Sequence, residues 1–381
     1  MSGSKSVILF TAFEPSGDAH AAPVIVALLR RDPKLRIVAW GGPRMEAAGA
    51  EMMGRTADDG EMGIPALRKV LAIRKVAQEI SRWADHNAVA VHVPVDSPAA
   101  NFPMCARMKK RGARVVHLVA PQIWAWGPWR IRKLRRLTDH VICLLPFEEA
   151  WFRQRGVAAT FVGHPVINDP HDVDAASLGW IEPVAGEPRL LLLPGSRTIE
   201  VDRNARVLME VAAAVRARFP DSSTLIAAAN ANIARRFEQV VGNLPPRTSL
   251  LTGVIDRAAA WCDFGVAVSG TVSLDLARAH KPVIGVYKTR RIAAFAANIV
   301  LRSPWRLLPN ILARRKLVPE FVPWAGSSAP IIDAALQLAS DTQLRAQISD
   351  GMRSITATFA GHDPGEESAS VILSMLHHAS H

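Results

Sequence analysis

Carboxylates occupy two short polar turns in the first hundred residues. The segment 14–18 (EPSGD) follows the apolar run Ser6–Ala12, and Asp96 follows the run Ala88–Val95. Near-continuous apolar runs of this length are typical of buried parallel strands, so each turn would lie at the carboxyl end of a strand. A carboxylate there can accept a proton from a substrate hydroxyl or anchor a substrate. Turn capping by Asp and Glu is the alternative explanation for both segments.

Two turns in the second half have the chemistry of a phosphate site. The segments 191–197 (LLLPGSR) and 264–271 (FGVAVSGT) each join an apolar run to a helical pattern. A helix N-terminus offers free backbone N–H groups and the positive end of a dipole to a phosphate. Arg197 adds a cationic fork, and Asp275 lies one turn into the second helix, near the expected ribose position. Turns in which Ser or Thr simply caps a helix are the alternative explanation. Two such turns in one half of the chain favour a diphosphate as the ligand.

Aromatic and basic side chains alternate between Trp124 and Arg136, in the order WAWGPWRIRKLRR. Such a pattern can bind nucleic acid through stacking and phosphate contacts, or lie at an anionic lipid surface. A packed loop followed by a solvated basic helix explains the same residues without a ligand. The segment 62–76 (MGIPALRKVLAIRKV) is amphipathic and is interpreted as either a core helix or a membrane-docking helix. His164, in FVGHP at 161–165, would lie at a domain junction, although a His before Pro is usually structural.

The composition is that of a folded, basic protein. The chain has 381 residues, of which 49% are hydrophobic, and a formal net charge of +12. This length predicts two to three domains, and the charge favours anionic partners. Three well-separated cysteines indicate neither zinc nor a disulfide framework, and the missing P-loop and G-x-G-x-x-G patterns disfavour NTPases and simple dinucleotide enzymes. No signal-peptide pattern or bilayer-spanning run is present, which predicts a cytoplasmic protein.

Strand and helix patterns alternate along the chain, pause at about 168–188, and then resume. This predicts an α/β protein with two tandem Rossmann-like, doubly wound parallel-sheet domains. We place the first domain at 1–168 and the second at 186–355, joined by a segment rich in Asp, Pro and Gly. Residues 356–381 are predicted to form a terminal helix, with packing back onto the first domain as one alternative. Ligands of such sheets lie outside the carboxyl ends of the strands, so a cleft between the domains is the expected site.

Ten segments, taken in their order along the chain, resemble those of the lipid-A-disaccharide synthase family. Members of this family are glycosyltransferases with two Rossmann-like domains (the GT-B fold). The similarity runs from about residue 7 to about residue 323. Any one segment is weakly specific, whereas ten in the same order are specific. The segments are EPSGD at 14–18, GGPRMEAAG at 41–49, MGIPALRKVL at 62–71, VDSP at 95–98, QIWAW at 122–126, LPFE at 145–148, FVGHP at 161–165, LLPGSR at 192–197, SGTVSLD at 269–275 and LPNILARRKLVPEF at 308–321.

The resemblance implies a reaction and a set of residue roles. A UDP-2,3-diacylglucosamine donor would pass its sugar to the 6-hydroxyl of 2,3-diacylglucosamine 1-phosphate (lipid X), giving the β-1,6 lipid A disaccharide 1-phosphate and UDP with inversion. The implied catalytic residues are Asp96 as general base, Glu14 orienting a sugar and Arg197 offsetting charge on UDP. The donor side would comprise Gly195, Ser196, Arg197, Ser269, Gly270, Thr271, Asp275, Asn310 and Glu320. The acceptor and lipid side would comprise Ser16, Gly17, Asp18, Asn101, Trp124, Trp126 and His164.

This sequence departs from the family pattern at several positions. Phe13 stands where the family usually has Gly, and Pro323 stands where Gln is common. Ala99 and Ala100 replace the second Asp and the Phe of the usual D-A-P-D-F-N, and Asp275 replaces Glu. These changes leave open a divergent paralogue that acts on or binds a related acylated amino sugar.

Other functions remain as alternatives. One is another UDP-sugar enzyme of the GT-B fold, such as an epimerase, and another is a non-catalytic protein that binds anionic lipid. Nucleic-acid binding is disfavoured because the basic residues are scattered and no nucleic-acid motif is present. The expected partners are therefore UDP-diacylglucosamine, lipid X and the anionic inner face of the cytoplasmic membrane, bound peripherally. No metal or other cofactor is predicted, and a homodimer is left open.

Overall fold

The computed structural model describes residues 7–57, 66–168, 181–268, 270–290 and 303–379. The chain divides into an N-terminal unit, residues 1–168 with 361–381, and a C-terminal unit, residues 169–360. The last residues of the chain therefore belong to the unit that contains the first residues.

The N-terminal unit is built on a parallel sheet. Its described strands are β1 (Val7–Thr11), β2 (Arg36–Gly41), β3 (Glu51–Arg55), β4 (Val89–Pro94), β5 (Arg114–Leu118), β6 (His140–Cys143) and β7 (Ala159–Phe161). They pair in parallel in the order β3-β2-β1-β4-β5-β6-β7. The helices of this unit are α1 (Pro15–Arg31), α2 (Pro43–Ala47), α3 (Ala66–Ala84), α4 (Pro98–Lys110), α5 (Ile131–Leu137), α6 (Pro146–Arg153) and the terminal α14 (Pro364–Ala379).

Alternate residues of β1 enter two separate cores, because successive side chains of a strand point to opposite faces. Ile8 and Phe10 pack with residues of α1 and α14. Val7 and Leu9 pack with residues of α3 and α4. Helices therefore cover both faces of the sheet, and this explains why β1 is apolar at nearly every position.

The C-terminal unit repeats this plan. Its described strands are β8 (Arg189–Leu193), β9 (Ser223–Ala228), β10 (Thr248–Thr252), β11 (Phe264–Val268), β12 (Val283–Lys288) and β13 (Glu320–Trp324). They pair in parallel in the order β10-β9-β8-β11-β12-β13. Its helices are α7 (Thr198–Arg218), α8 (Ala231–Val241), α9 (Ile255–Trp261), α10 (Val272–Arg278), α11 (Leu308–Ala313), α12 (Ala329–Ser340) and α13 (Thr342–Ala357).

Each sheet has a point at which the strand order reverses. In the N-terminal unit this point lies between β1 and β4, where Thr11 is paired with Pro94. In the C-terminal unit it lies between β8 and β11, where Leu193 is paired with Ala267. Doubly wound sheets bind ligands in the crevice outside the carboxyl ends of the strands at this reversal. The reversal points therefore mark where each unit should carry its functional loops.

The prediction of an α/β protein with two parallel sheets is confirmed. The sequence pattern gives no signal for β3, β10 and β13, because these edge strands are only partly buried and lack a continuous apolar run. The terminal helix predicted over 356–381 begins at Pro364. The preceding helix α13 ends at Ala357, Gly361 with a φ of +83° lies in the turn that follows, and proline starts the next helix.

Candidate active site

Asp96 lies on a strained turn that directly follows β4. Asp96 and Ser97 have φ angles of +47° and +35°, in the left-handed region that residues with a side chain rarely adopt. The Asp96 N–H donates to the Leu118 carbonyl oxygen at 2.9 Å, which ties the turn to the end of β5. The residue is half-buried. Strain of this kind persists only where surrounding contacts hold it, and it is concentrated at functional sites.

Asn101, in the first turn of α4, holds the Asp96 turn from inside the protein. Its Nδ2 group donates to the carbonyl oxygens of Val95 and Asp96, each at 3.0 Å. Its Oδ1 accepts a hydrogen bond from Thr11 Oγ1 at 2.7 Å. The side chain is fully buried and does not reach the surface. Its effect on the predicted acceptor side would therefore be exerted through the Asp96 turn.

The turn after β1 lies next to the turn after β4. A Cβ atom added to Gly17 would lie 3.5 Å from the Val95 carbonyl oxygen. Glu14 precedes α1 and is half-buried, while Ser16 is exposed. The structure therefore brings the predicted residues Glu14, Ser16 and Gly17 to the edge of the sheet that carries Asp96.

Asp18 fastens a different element, the short helix α2. Its Oδ1 accepts hydrogen bonds from the Gly42 and Met45 amides at 3.1 and 2.9 Å, and its Oδ2 accepts one from the Arg44 amide at 2.9 Å. The carboxylate is buried at the N-terminus of α2, where the helix dipole favours negative charge. Asp18, predicted on the acceptor side, therefore has both oxygens engaged in holding the loop after β2.

Trp124 is anchored to a buried carboxyl group. Its Nε1 donates to Glu148 Oε1 at 2.9 Å, and its ring packs edge-on against Phe147 with centroids 4.8 Å apart. Glu148 Oε2 accepts a hydrogen bond from the Leu145 amide at 3.1 Å. Burial raises the pKa of Glu148 to about 7, although the hydrogen bonds from Trp124 and the backbone oppose this rise. Trp124 therefore fixes the start of the segment 124–136.

The rest of that segment forms an exposed surface, which we call the Trp126–Arg136 face. Trp126 and Trp129 are 41% and 67% exposed, and the Arg130 guanidinium lies over the Trp126 ring at 4.5 Å. Helix α5 adds four exposed cations, Arg132, Lys133, Arg135 and Arg136. Among the helices in the described ranges, none has the length and apolar character needed to cross a bilayer.

His164 is buried. Its ring packs edge-on against that of His20 at 6.0 Å between centroids, and its Nδ1 accepts a hydrogen bond from the Val166 amide at 3.1 Å. Burial lowers the pKa of His20 to about 4. Burial, with a smaller contribution from His20, lowers the pKa of His164 to about 3. Both rings are therefore neutral at pH 7, and Nδ1 of His164 is engaged within its own loop.

The turn after β8 is closed by Glu200. Its Oε2 accepts hydrogen bonds from the amides of Ser196 and Arg197 at 2.9 and 3.2 Å, and its Oε1 accepts one from the Arg197 guanidinium at 3.2 Å. Gly195 has a φ of +97°, and a Cβ atom there would lie 2.5 Å from Glu200 Oε2. Two of the amides in this turn, those of Ser196 and Arg197, therefore donate to a capping-type carboxylate within the protein. The Arg197 side chain remains 55% exposed.

The turn after β11 lies beside the turn after β8, because these two strands are paired. Gly270 and Thr271 are exposed and precede α10, and the Ser273 hydroxyl donates to the Gly270 carbonyl oxygen at 3.0 Å. Asp275 is half-buried on α10. Ser269, also predicted on the donor side, lies outside the described residues.

Asn310 and Glu320 hold one another and the loop between them. Asn310 Nδ2 donates to Glu320 Oε2 and to the Val318 carbonyl oxygen, both at 3.0 Å. Its Oδ1 accepts from the Leu317 and Val318 amides, both at 2.8 Å. Glu320 also accepts from the Leu307 amide at 2.9 Å, next to the N-terminus of α11. Asn310 is fully buried, so its predicted donor-side role would be exerted through this loop.

Neither a cluster of metal ligands nor an exposed cysteine occurs among the described residues. They contain no group of three or more His, Cys, Asp or Glu side chains placed to hold a metal ion. The three cysteines are buried, and burial raises the pKa of Cys105 and Cys262 to about 12, so these thiols are un-ionised at neutral pH. At the reversal points lie the half-buried carboxylate of Asp96, beside β4, and the exposed guanidinium of Arg197, beside β8.

Sequence analysis did not identify Thr11, Glu148 or Glu200. Glu200 and Glu148 each lie three residues after the N-cap residue of a helix, as the acidic residue of a capping box does, but those N-cap residues are Arg197 and Leu145. The Ser or Thr that would mark a capping box in the sequence is absent from both positions. Thr11 carried no signal, because a single hydroxyl at the end of an apolar strand is consistent with any α/β fold.

Solved structures support the two-sheet architecture. The chain is similar to the S. aureus MnaA–UDP co-structure, with a TM-score of 0.65 and 12% identity over 97% of this chain and 95% of that one. It is also similar to a putative UDP-N-acetylglucosamine 2-epimerase from Listeria monocytogenes, with a TM-score of 0.65 and 11% identity over 97% and 95% of the two chains. At such low identity these similarities concern the fold alone, which is of the GT-B type.

Sequence comparison gives the family. A model of the family described as lipid-A-disaccharide synthetase matches residues 8–368. The lipid-A-disaccharide synthase of Thiobacillus denitrificans is 33% identical over 347 residues, covering 89% of this chain and 91% of the relative. That of Pectobacterium atrosepticum is 30% identical over 355 residues, covering 91% and 92%. The chain therefore belongs to the lipid-A-disaccharide synthase family and is a glycosyltransferase of lipid A biosynthesis.

Proposed function

We propose that this protein transfers 2,3-diacylglucosamine from its UDP derivative to the 6-hydroxyl of 2,3-diacylglucosamine 1-phosphate, with inversion at the anomeric carbon. The observation that carries the proposal is the position of Asp96. It is a carboxylate at the carboxyl end of β4, beside the strand-order reversal, on a left-handed turn held by Asn101. An inverting transferase needs one such base, placed rigidly beside the acceptor hydroxyl.

Asp96 would act as the general base. Its carboxylate takes the proton of the 6-hydroxyl while that oxygen attacks the anomeric carbon and the bond from this carbon to the diphosphate oxygen breaks. The electron pair of the broken bond leaves with UDP. Glu14, on the adjacent turn, would orient the acceptor or donor sugar through its hydroxyl groups. The left-handed turn fixes the carboxylate before substrate arrives, so less entropy is lost in reaching the reactive geometry.

The C-terminal unit would bind the donor and stabilise the departing diphosphate. Arg197, which is 55% exposed at the N-terminus of α7, supplies a guanidinium that can pair with phosphate oxygens in a bidentate manner. The turn after β11 would supply Gly270 and Thr271 with Ser269, and Asp275 would accept a hydrogen bond from the ribose. Asn310 and Glu320 would shape the donor side by fixing their loop. The UDP named in the S. aureus co-structure supports a uridine nucleotide as ligand of this fold.

The Trp126–Arg136 face would bring the enzyme to its acylated substrates. Two exposed indole rings and five cations lie together in a segment that contains no acidic residue. Aromatic rings favour the interfacial region of a bilayer, and each cation near an anionic surface adds about 1 kcal/mol. We expect the protein to sediment with anionic vesicles at low salt and to be released by high salt. Equal binding to neutral vesicles would contradict the electrostatic part of the proposal.

The test is UDP release by the purified protein supplied with UDP-2,3-diacylglucosamine, with and without lipid X. We expect release to require lipid X, and Asp96→Asn to lower it by about 100-fold or more, since general bases contribute about 10²–10⁴-fold. Asp85→Asn is the matched control. This carboxylate lies in the loop before β4, at the end of the strand opposite to Asp96, and is about half exposed.

Three other results would contradict the proposal. UDP release without lipid X would indicate a hydrolase-like variant. Full activity of Asp96→Asn would remove Asp96 as the base. Tight UDP binding without any release would favour a paralogue whose acceptor differs, as the departures at Phe13 and Ala99 suggest, and a screen of related acylated amino sugars would then identify that acceptor.

A further inference from the structure

The Asp96 turn is supported by a chain of buried polar groups that extends across the sheet. Thr11, at the end of β1, donates from Oγ1 to Asn101 Oδ1 at 2.7 Å. The same hydroxyl oxygen lies 2.9 Å from Nε2 of His92, which belongs to β4. Thr11, His92 and Asn101 are all fully buried. Three polar side chains in an otherwise apolar core are costly to bury unless their hydrogen bonds are made, so this arrangement requires an explanation.

The direction of every hydrogen bond in this chain is determined. Both hydrogens of Asn101 Nδ2 are used by the carbonyl oxygens of Val95 and Asp96, so its Oδ1 must accept. Thr11 has one hydroxyl hydrogen and donates it to Asn101, so Thr11 must accept from His92. His92 therefore carries its proton on Nε2. Its Nδ1 has no hydrogen-bond partner in the described part of the chain, which agrees with a neutral ring in this tautomer.

We propose that Thr11 and His92 are positioning residues for sugar transfer, acting on Asp96 through Asn101. The chain runs from His92 to Thr11 to Asn101 and ends on the carbonyl oxygen of Asp96 itself. It holds the amide of Asn101 in the one orientation that can donate to both turn carbonyls. The inference rests on the proposed role of Asp96 as base.

The consequence for catalysis follows from the geometry of the turn. Asp96 and Ser97 both occupy a left-handed backbone conformation that is unfavourable without external support. Removing the Thr11 hydroxyl leaves the His92 N–H and the Asn101 Oδ1 without a partner, and the Asn101 amide is then free to rotate. The turn can relax, and the carboxylate is displaced from the acceptor hydroxyl. A displacement of about 1 Å in a reacting group can cost about 100-fold in rate.

The test compares two substitutions of Thr11. Thr11→Val keeps the size and β-branched shape of the side chain but removes the hydroxyl, whereas Thr11→Ser keeps the hydroxyl. We expect Thr11→Val to lower kcat by about tenfold to 100-fold, with KM for donor and acceptor changed by less than about twofold, as expected when only the transition state is affected. Thr11→Ser should retain more than about half of the wild-type kcat. All rates are expressed per mole of protein with a folded N-terminal unit, measured as the fraction of α6 protected from hydrogen exchange, so that unfolded protein does not contribute.

Two further variants complete the design. Thr138→Val also removes a buried hydroxyl of the N-terminal unit, one that donates to the Leu134 carbonyl oxygen at 2.8 Å, and it should leave kcat unchanged. His92→Phe keeps an aromatic ring but removes the N–H donor. It should lower kcat by less than Thr11→Val does, because the hydrogen bond from Thr11 to Asn101 survives. If Thr11→Val does not fold, the kcat of His92→Phe still tests whether this chain of hydrogen bonds affects catalysis.

The outcomes separate this inference from the proposed function. Equal kcat for Thr11→Val and Thr11→Ser, with Asp96→Asn inactive, would overturn the positioning role and leave Asp96 as the base. Full activity of Asp96→Asn would overturn the proposed function. A smaller folded fraction of the N-terminal unit in Thr11→Val, with normal kcat per folded unit, would assign the hydroxyl to stability alone and would also overturn the inference.

Discussion

Glu148 offers a direct test of how burial affects a charge in the N-terminal unit. Its carboxyl group receives hydrogen bonds from Trp124 Nε1 and the Leu145 amide, yet it is buried, and burial raises its pKa from an ordinary value of 4.5 to about 7. The perturbation is Glu148→Gln. A glutamine keeps the length and shape of the side chain but cannot ionise. Its amide nitrogen cannot accept, so one of the two hydrogen bonds from Trp124 Nε1 and the Leu145 amide is lost at every pH.

The magnitude follows from the two pKa values. Between about pH 4.5 and about pH 7 the folded protein holds a proton on Glu148 that the unfolded chain has released, so stability falls as the pH rises through this interval. A pKa raised from 4.5 to about 7 corresponds to about 3 kcal/mol. At about pH 5 the wild-type side chain is protonated, so neither side chain carries a charge. The lost hydrogen bond lowers the stability of the variant by the same amount at both pH values. We therefore expect the difference between variant and wild type to move in favour of the variant by up to about 3 kcal/mol between about pH 5 and about pH 8.

The assay is urea unfolding at both pH values, followed by hydrogen exchange of α6 and analysed by mass spectrometry. Exchange of α6 reports the N-terminal unit alone, which matters because two units need not unfold in one step. Glu149→Gln corrects for the loss of one negative charge from the same helix. If the corrected difference between the two pH values is the same in wild type and Glu148→Gln, the argument from burial is wrong.

Two further predictions concern loops at the strand ends. Asp18→Asn should destabilise the N-terminal unit by about 2 kcal/mol or more, because one carboxylate accepts three buried amide hydrogens. Asp341→Asn, at an N-cap of the C-terminal unit with one amide bond, should cost almost nothing when urea unfolding is followed by hydrogen exchange of α13. Gly195→Ala should weaken UDP binding and lower the urea midpoint of the C-terminal unit, because the methyl group overlaps Glu200. Gly253→Ala has a comparable positive φ with open space around it and should cost only about 1–2 kcal/mol, without loss of UDP affinity.

The fold could be predicted where the sequence has continuous apolar runs. β1, β4, β8 and β11 are central strands covered on both faces, so nearly every position must be apolar and the run is visible. Edge strands such as β3 alternate between exposed and partly buried positions and resemble surface loops. The sheet order was not readable from the runs, although it decides which two turns become neighbours.

The site could be predicted as a set of turns but not as a set of side-chain directions. Placing Glu14, Asp96 and Arg197 at strand ends required only the apolar runs and the turn chemistry. Asp18 accepts from backbone amides that lie distant in the sequence, and Asn310 accepts from amides that a loop brings near. Neither set of partners is visible in the sequence. A carboxylate that binds substrate and one that caps a neighbouring helix look the same in a sequence, because both need a strand end and a short polar turn.

The structure therefore separates two kinds of functional residue within the motifs. Asp18, Asn101, Asn310 and Glu320 each accept from or donate to the backbone of a loop, so their replacement releases that loop. Loss of activity at such a position would accompany faster local hydrogen exchange and lower stability. Asp96→Asn keeps the backbone hydrogen bonds that Asp96 makes to Leu118 and Asn101, so we expect a fall in activity much larger than any change in local exchange. Loss of activity alone is thus consistent with both roles, and only its combination with local exchange distinguishes a group that acts on substrate from one that holds the loop.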